Sequence, residues 1–285
     1  MPEGDTIFRT ARSLGRALVG KPVTAFRSTY PLLTRFNDDT PLVGQTVDRV
    51  EARGKWLLIS FSGGGILASH LLMSGRWHIY RHGERWQLAH IHLRIVIENG
   101  EYQAVGFRVP VAEMHTARSL VRSTRIPRAE NDVLSTEFDA GAALENLLAR
   151  RGEALADVLL DQRVLAGVGN VFKSEICFVS GLNPFRRIET LTREDAAATI
   201  ACAQRLLSAN VLEDSGDTIV TYRGQQRRTT HASDPSASLW VYGRNGEPCR
   251  RCGELIRRRI QGADARVTFW CPRCQLMPDG ADVDG

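Results

Sequence analysis

The apolar residues of the first segment recur at helical spacing. Ile7, Ala11, Leu14 and Leu18 fall on one face, and Gly20 and Pro22 follow as a stop, which predicts a helix over Asp5–Val19. From Val23 to about Arg108 the pattern shifts to short strands. Ile91, Leu93, Ile95 and Ile97 alternate strictly, and the Asn99-Gly100 pair is a turn signal leading into a strand over Tyr102–Phe107. Trp56–Phe61 and Ile66–His70, joined across Gly63-Gly64-Gly65, read as another hairpin. One helix followed by many hairpins predicts an antiparallel β-sandwich.

Ser123 to Asn131 is a crossover containing proline and arginine, and beyond it the period becomes helical. Asp139 is placed to cap a helix carrying Leu144, Leu147 and Leu148. Val158, Leu159 and Leu160 fall in a second, and Val171–Val179 is a third. Thr192-x-x-Asp195 is a capping-box opening to a fourth that runs through Ile200, Leu206 and Leu207. Asp214 to Pro235 is polar and arginine-rich without a period, and reads as a loop that is either disordered or ordered by a ligand. The tail from Met277 to Gly285, with Asp279, Asp282 and Asp284, is expected to be disordered.

The 285 residues suffice for one large domain or two to three smaller ones, and 43% hydrophobic with 24% charged residues is an ordinary soluble composition. A net charge of +5 and a pI near 9.0 permit nucleic-acid binding without requiring it. No basic, apolar leader opens the sequence and no apolar run reaches membrane-spanning length, so cytoplasmic residence, on the nucleoid, is expected.

Cysteine spacing sharpens this picture. Cys249-x-x-Cys252 and Cys271-x-x-Cys274 stand eighteen residues apart. Each pair offers two soft thiolates on one tight turn, half of a tetrahedral zinc site, and one structural Zn²⁺ is the reading against two disulfides or four unrelated core cysteines. Between Arg244 and Cys274 there are eight arginines and three acidic residues. The segment therefore carries +5, or about +3 with four thiolates and one Zn²⁺ counted. A stapled hairpin with that charge suits a polyanion, nucleic acid first. Cys177 and Cys202 lie in apolar helical stretches and read as small buried hydrophobes.

Two further motifs bear chemistry. Met1-Pro2-Glu3-Gly4-Asp5 places a proline where removal of the initiator methionine leaves a secondary amine. Such an amine has a pKa of about 8, roughly two units below lysine, and can attack an electrophilic carbon to form an iminium, with Glu3 as acid or base. The same residues also make a good helix start and nothing more. Leu165-Ala166-Gly167-Val168-Gly169-Asn170 sits between two predicted helices. It reads equally as a phosphate seat of backbone N–H groups with Asn170 as a side-chain donor, or as a turn that Asn170 caps.

Together these residues resemble the formamidopyrimidine-DNA glycosylase and endonuclease VIII family. The markers are Pro2-Glu3-Gly4-Asp5, Arg53-Gly54-Lys55, Gly167-Val168-Gly169-Asn170, and the segment from Tyr242-Gly243-Arg244 through Gln275, with Gly246-Glu247-Pro248-Cys249 and Arg266 five residues before Cys271. The likeness spans Pro2 to Cys274. It implies an α+β multidomain protein: an N-terminal helix with an antiparallel β-sandwich over 1–122, a helix–two-turn–helix DNA-binding domain over 123–235, a four-cysteine zinc finger hairpin over 236–276, and a tail over 277–285. By the resemblance, Pro2 is the nucleophile on C1′ of a damaged nucleotide and Glu3 its acid/base partner. Lys55 serves β-elimination and phosphate contact, Arg266 δ-elimination and phosphate contact, and Asn170 and Arg128 bind phosphate. Leu72 and Met73 sit where the family inserts a wedge between bases; the sandwich core is the other reading of both. His70 reads as a structural hydrogen-bonding residue.

Within the family, Gly4-Asp5 and the stretch Val105-Gly106-Phe107-Arg108-Val109-Pro110 depart from the purine branch and favour endonuclease VIII, hence oxidised pyrimidines. His70-Leu71-Leu72-Met73-Ser74-Gly75 resembles the purine branch's methionine-bearing wedge, and Leu72 stands where the pyrimidine branch has glutamine. The expected activity is that of a bifunctional glycosylase and abasic-site lyase on damaged double-stranded DNA, working as a monomer. The alternatives are an oxidised-purine glycosylase and a damage-binding protein without chemistry. The set Pro2, Glu3, Lys55 and Arg266 speaks against the last.

Overall fold

The computed structural model describes residues 2–212, Thr221 and residues 238–277. The arginine-rich loop expected over 214–235, Thr221 excepted, and the tail after Met277 lie outside the described residues. The chain divides into two compact units, Met1–Arg128 and Ala129–Gly285.

The first unit opens with α1 (Gly4–Leu18), whose Ile7, Ala11, Leu14, Ala17 and Leu18 are buried as the spacing predicts. After β1 (Ala25–Ser28) comes a nine-residue helix, α2 (Pro31–Asp39), inside a stretch read as strands only. Pro31 starts it, and Leu33 is its one buried residue, so the period is too short to register in the sequence. The strands β2 (Val47–Arg53), β3 (Trp56–Phe61), β4 (Ile66–His70), β5 (Arg76–Arg81), β6 (Leu93–Glu98), β7 (Tyr102–Phe107) and β8 (Val111–His115) complete the sandwich. Its two antiparallel sheets have the orders β2-β3-β4-β8 and β1-β6-β7-β5. Ile91 is not in the strand predicted to hold it. Residues His90–His92 form a 3-10 turn and leave Ile91 78% exposed.

Strand alternation builds the core. Leu57, Ile59, Phe61 and Leu67 of one sheet meet Ile95, Ile97 and Ala104 of the other, together with the apolar face of α1. The outward side chains Trp56, Leu58 and Ala68 are covered by Leu120 and Ile126, which explains why β3 is apolar on both faces. Leu120 belongs to α3 (Ala117–Val121), opened by a Thr116–Ser119 capping box.

The second unit is helical with a terminal hairpin. Asp139 caps α4 (Ala140–Leu148) by accepting the Ala142 N–H at 2.9 Å. The short α5 (Leu155–Val158) ends before Leu159 and Leu160, and α6 (Asn170–Val179) and α7 (Arg193–Leu212) follow. At the start of α7, Thr192 and Asp195 exchange the expected capping hydrogen bonds, 3.0 and 3.4 Å long. Leu147, Leu155, Val158, Phe172, Ile176, Ile200 and Leu207 form its core, with Cys177 and Cys202 buried among them. Strands β9 (Arg257–Gln261) and β10 (Arg266–Trp270) make a two-stranded ribbon beside the four remaining cysteines. No helix among the described residues is long and apolar enough to cross a membrane.

Candidate active site and nucleic-acid interface

In the first unit Lys55 and the Leu72–Met73 turn stand at the same end of the sheet β2-β3-β4-β8. Arg53 pairs with Trp56 across a two-residue hairpin loop, and Gly54 takes φ +60° at its first position, which leaves Lys55 at the apex. Trp56 pairs in turn with His70, so Leu71–Ser74 emerge from β4 at the same end. Helix α1 packs on β2, with Val19 bridged to Val47 and Gly15 beside Val50. Pro2 and Glu3 lie at the N-terminal end of this helix, the end away from the Val19–Val47 bridge.

Pro2 is half-buried, and Glu3 is 1% exposed as the N-cap residue of α1, its carbonyl accepting the Ile7 N–H at 3.1 Å. Asp5, also buried, holds the Arg9 guanidinium at 3.1 Å, yet burial outweighs that cation and raises its pKa above the usual carboxylate range. The N-cap and first turn of α1 therefore carry one buried acidic residue each, Glu3 and Asp5.

The wedge candidates are not core. Leu71 is buried, whereas Leu72 is 42% and Met73 72% exposed. Leu72 has φ +45°, a left-handed conformation that a branched side chain seldom takes. It is held by His70, whose Nδ1 accepts the Leu72 N–H at 3.1 Å while its ring stands edge-on to Trp56. Burial, then the nearby Lys55 and Arg125, lower the His70 pKa to about 4, so the imidazole stays a neutral acceptor. Arg108 adjoins the same turn: it has φ +48° and its carbonyl accepts from Ser74 Oγ at 3.5 Å. Arg128, the last residue of the first unit, is exposed.

In the second unit the glycine-rich turn leads directly into α6. Gly169 is the N-cap residue and makes no side-chain cap; Asn170 is the first helical residue and does not cap. Its Oδ1 is shielded and has no hydrogen-bond partner among the described residues. Gln162, unnoticed in the sequence, braces this turn. Its Oε1 accepts the Gly167 N–H at 3.0 Å, and its Nε2 donates to the carbonyls of Leu160 and Val168. Arg266, at the start of β10, is partly exposed, faces Gln261 across the ribbon and lies 3.6 Å from Asp264.

The four cysteines converge. Their Sγ atoms all lie within 4.8 Å of one another, with Cys249–Cys274 at 3.9 Å and Cys252–Cys271 at 3.5 Å. A tetrahedron of Zn–S bonds of about 2.3 Å has edges of about 3.8 Å, so the set fits zinc, while no S–S contact has disulfide length. Backbone N–H groups of Arg251 and Cys274 point at Cys249 Sγ and Cys271 Sγ, both at 3.4 Å. Burial and neighbouring thiols push the Cys271 pKa up to about 11 and that of Cys274 higher still, so ionising these two thiols calls for a cation beside them.

Two charges in the apolar run of α6 carried more meaning than the sequence reading gave them. Lys173 and Glu175 are fully buried. The Glu175 carboxylate accepts the N–H groups of Trp240, Val241 and Tyr242 at 2.8–2.9 Å and the Thr221 hydroxyl, fixing the chain that enters the zinc hairpin. Gln275, just past the last cysteine, donates to the Leu182 carbonyl at 2.8 Å and accepts the Cys271 N–H at 2.9 Å. A charged residue inside an otherwise apolar helix was the available signal.

Known proteins match along the whole length. Profiles of the formamidopyrimidine-DNA glycosylase N-terminal domain and H2TH domain match residues 1–108 and 130–222, and the zinc finger found in FPG and IleRS matches residues 246–276. A probable endonuclease 8 2 of Streptomyces coelicolor is 39% identical over 281 residues, 98% of this chain and 95% of that protein. The DNA-(apurinic or apyrimidinic site) lyase Nei2 of Mycolicibacterium smegmatis is 38% identical, covering 96% of this chain and 99% of its own. The crystal structure of Lactococcus lactis formamidopyrimidine DNA glycosylase, bound non-covalently to DNA containing an AP site, shares the fold with a TM-score of 0.77 at 22% identity, covering 96% of this chain and 100% of that one.

Proposed function

This chain belongs to the formamidopyrimidine-DNA glycosylase and endonuclease VIII family, and from that premise we propose that it excises oxidised pyrimidines from duplex DNA and cuts the strand by β,δ-elimination. The reading is supported by Lys55 and the Leu72–Met73 turn standing at the same end of one sheet, with Pro2 and Glu3 leading into the helix packed on that sheet.

The chemistry follows from those groups. A damaged nucleotide must leave the base stack before its C1′ can be reached, and exposed Leu72 and Met73 fill the space left behind. The Pro2 nitrogen attacks C1′, the bond from C1′ to the base breaks, and the opened sugar becomes an iminium. Glu3 exchanges the proton that sugar opening requires. Loss of a C2′ proton, with Lys55 beside the phosphate, then breaks the C3′–O bond; loss of the C4′ proton breaks the C5′–O bond, with Arg266 taking the charge of the departing phosphate. Asn170 and Arg128 hold the backbone by phosphate contacts. Cys249, Cys252, Cys271 and Cys274 would hold one structural Zn²⁺, which supplies no step and fixes the hairpin bearing Arg266.

A second reading, oxidised purines, has one observation in its favour. Arg108 adjoins the Leu72–Ser74 turn, where the purine branch keeps an arginine that fills the void. The deciding experiment is nicking of duplexes with one defined lesion each, opposite each of the four bases. Thymine glycol and dihydrouracil cut faster than 8-oxoguanine and formamidopyrimidine supports the first reading; the reverse order overturns it.

A further inference from the structure

Helix α6 carries Asn170 at its first position, and its next turn is tied to the strand that begins with Arg266. Lys173, Ser174 and Thr268 are all fully buried. Lys173 Nζ donates to the Val267 carbonyl at 3.1 Å and to Thr268 Oγ1 at 2.6 Å. Ser174 Oγ accepts the Phe269 N–H at 3.4 Å and donates to the Asn170 carbonyl at 3.3 Å. Three successive residues after Arg266 are thus fastened to two helix residues within one turn of Asn170. A buried ammonium is costly, and a methionine or leucine would fill the same space without that cost. What lysine adds is direction, because its donors fix where β10 lies along the helix. Direction matters here since a two-stranded ribbon is only marginally ordered by itself and takes its position from what it packs on.

We propose that Lys173 is the positioning residue for Arg266, setting the distance between the guanidinium and the phosphate seat at Asn170 and so governing the second elimination. The inference rests on the role given to Arg266 above. In that step the iminium-conjugated sugar loses its C4′ proton, the C5′–O bond breaks, and its electron pair leaves on the phosphate. Lys173 touches neither sugar nor phosphate; it acts through the placement of Arg266. The first elimination, which uses Pro2 and Lys55 of the other unit, does not depend on it.

The test uses the full-length, zinc-loaded protein on duplex with a preformed abasic site, in single turnover. It reads the ratio of 3′-phosphate ends (both eliminations) to 3′-unsaturated aldehyde ends (the first alone), together with borohydride-trapped adduct and zinc per chain. Lys173→Met should lower that ratio by about tenfold to a hundredfold, the upper end being the cost of a misplacement of about 1 Å, with trapping and zinc unchanged. Thr268→Val should lower it less, and Lys173→Arg should restore part of it. If Arg266→Ala abolishes the second elimination while Lys173→Met leaves the ratio intact, the inference is overturned and the reading of Arg266 stands. If Arg266→Ala leaves the ratio intact, the reading of Arg266 fails and the inference with it. Loss of zinc in Lys173→Met with an unmoved ratio in Thr268→Val also overturns it, since Lys173 would then be a strut of the fold alone.

Discussion

His70 Nδ1 accepts the backbone N–H of Leu72 at 3.1 Å, and this bond holds Leu72 in a left-handed conformation next to exposed Met73. The bond needs a neutral imidazole, which burial and the cations Lys55 and Arg125 provide by lowering the His70 pKa to about 4. An unfolded histidine titrates at about 6.5, so between pH 6.5 and 4 the unfolded chain binds the extra proton. Stability from this group is complete above pH 6.5 and is lost as pH falls toward 4. His70→Phe should therefore flatten the fall in melting temperature over that window relative to wild type. Parallel curves for the two proteins would show that His70 does not carry this linkage.

Exposure of Leu72 and Met73 separates their role from folding. Replacing both with alanine should leave the melting temperature within about 1 °C, since neither side chain is in the core. Excision from duplex should fall about 30-fold, because unstacking without a filler costs a few kcal/mol. Single-stranded substrate, which has no partner stack to hold open, should be cut at nearly the wild-type rate. Equal losses on both substrates would argue against a wedge.

Glu175→Gln keeps the size of the side chain but turns one acceptor oxygen into a donor facing backbone N–H groups. Stability of the second unit should drop by about 2–4 kcal/mol, read from denaturant unfolding. A change below about 0.5 kcal/mol would mean that residues 240–242 are held by other contacts.

Removing one thiolate should be more severe. Cys249→Ser is expected to release zinc, measured as metal per chain, and to abolish DNA binding, because metal affinity supplies most of such a hairpin's stability. Retained zinc with normal affinity would contradict the assignment of the four cysteines.

The alternation of Leu57, Ile59 and Phe61 and the helical spacing of Ile7, Leu14 and Leu18 made the sandwich and its helix readable in advance, since burial acts on each of those positions alike. The C-x-x-C pairs were readable for the same kind of reason: ligand spacing is local. Leu71, Leu72 and Met73 were not. Three adjacent apolar residues give no sign of which one anchors and which two project, and the answer lies in the hydrogen bond to His70. The charges of Lys173 and Glu175 in an apolar helix were a signal, but what they and Gln162 hold was not visible, because their partners are 94 to 95, 46 to 67, and 2 to 6 residues away and are mostly backbone groups, which leave no mark in a sequence. Ile91 kept the phase of its strand and still fell outside it, at a 3-10 turn.

The central claim is that the ring nitrogen of Pro2 bonds to the deoxyribose. Its most direct test is peptide mapping by mass spectrometry of the borohydride-reduced conjugate between the protein, with Met1 removed, and abasic DNA. The account predicts a sugar adduct on the N-terminal peptide at Pro2, and none when an added residue precedes it. An adduct on Lys55 or another lysine, or an undiminished adduct with Pro2 extended, would contradict it.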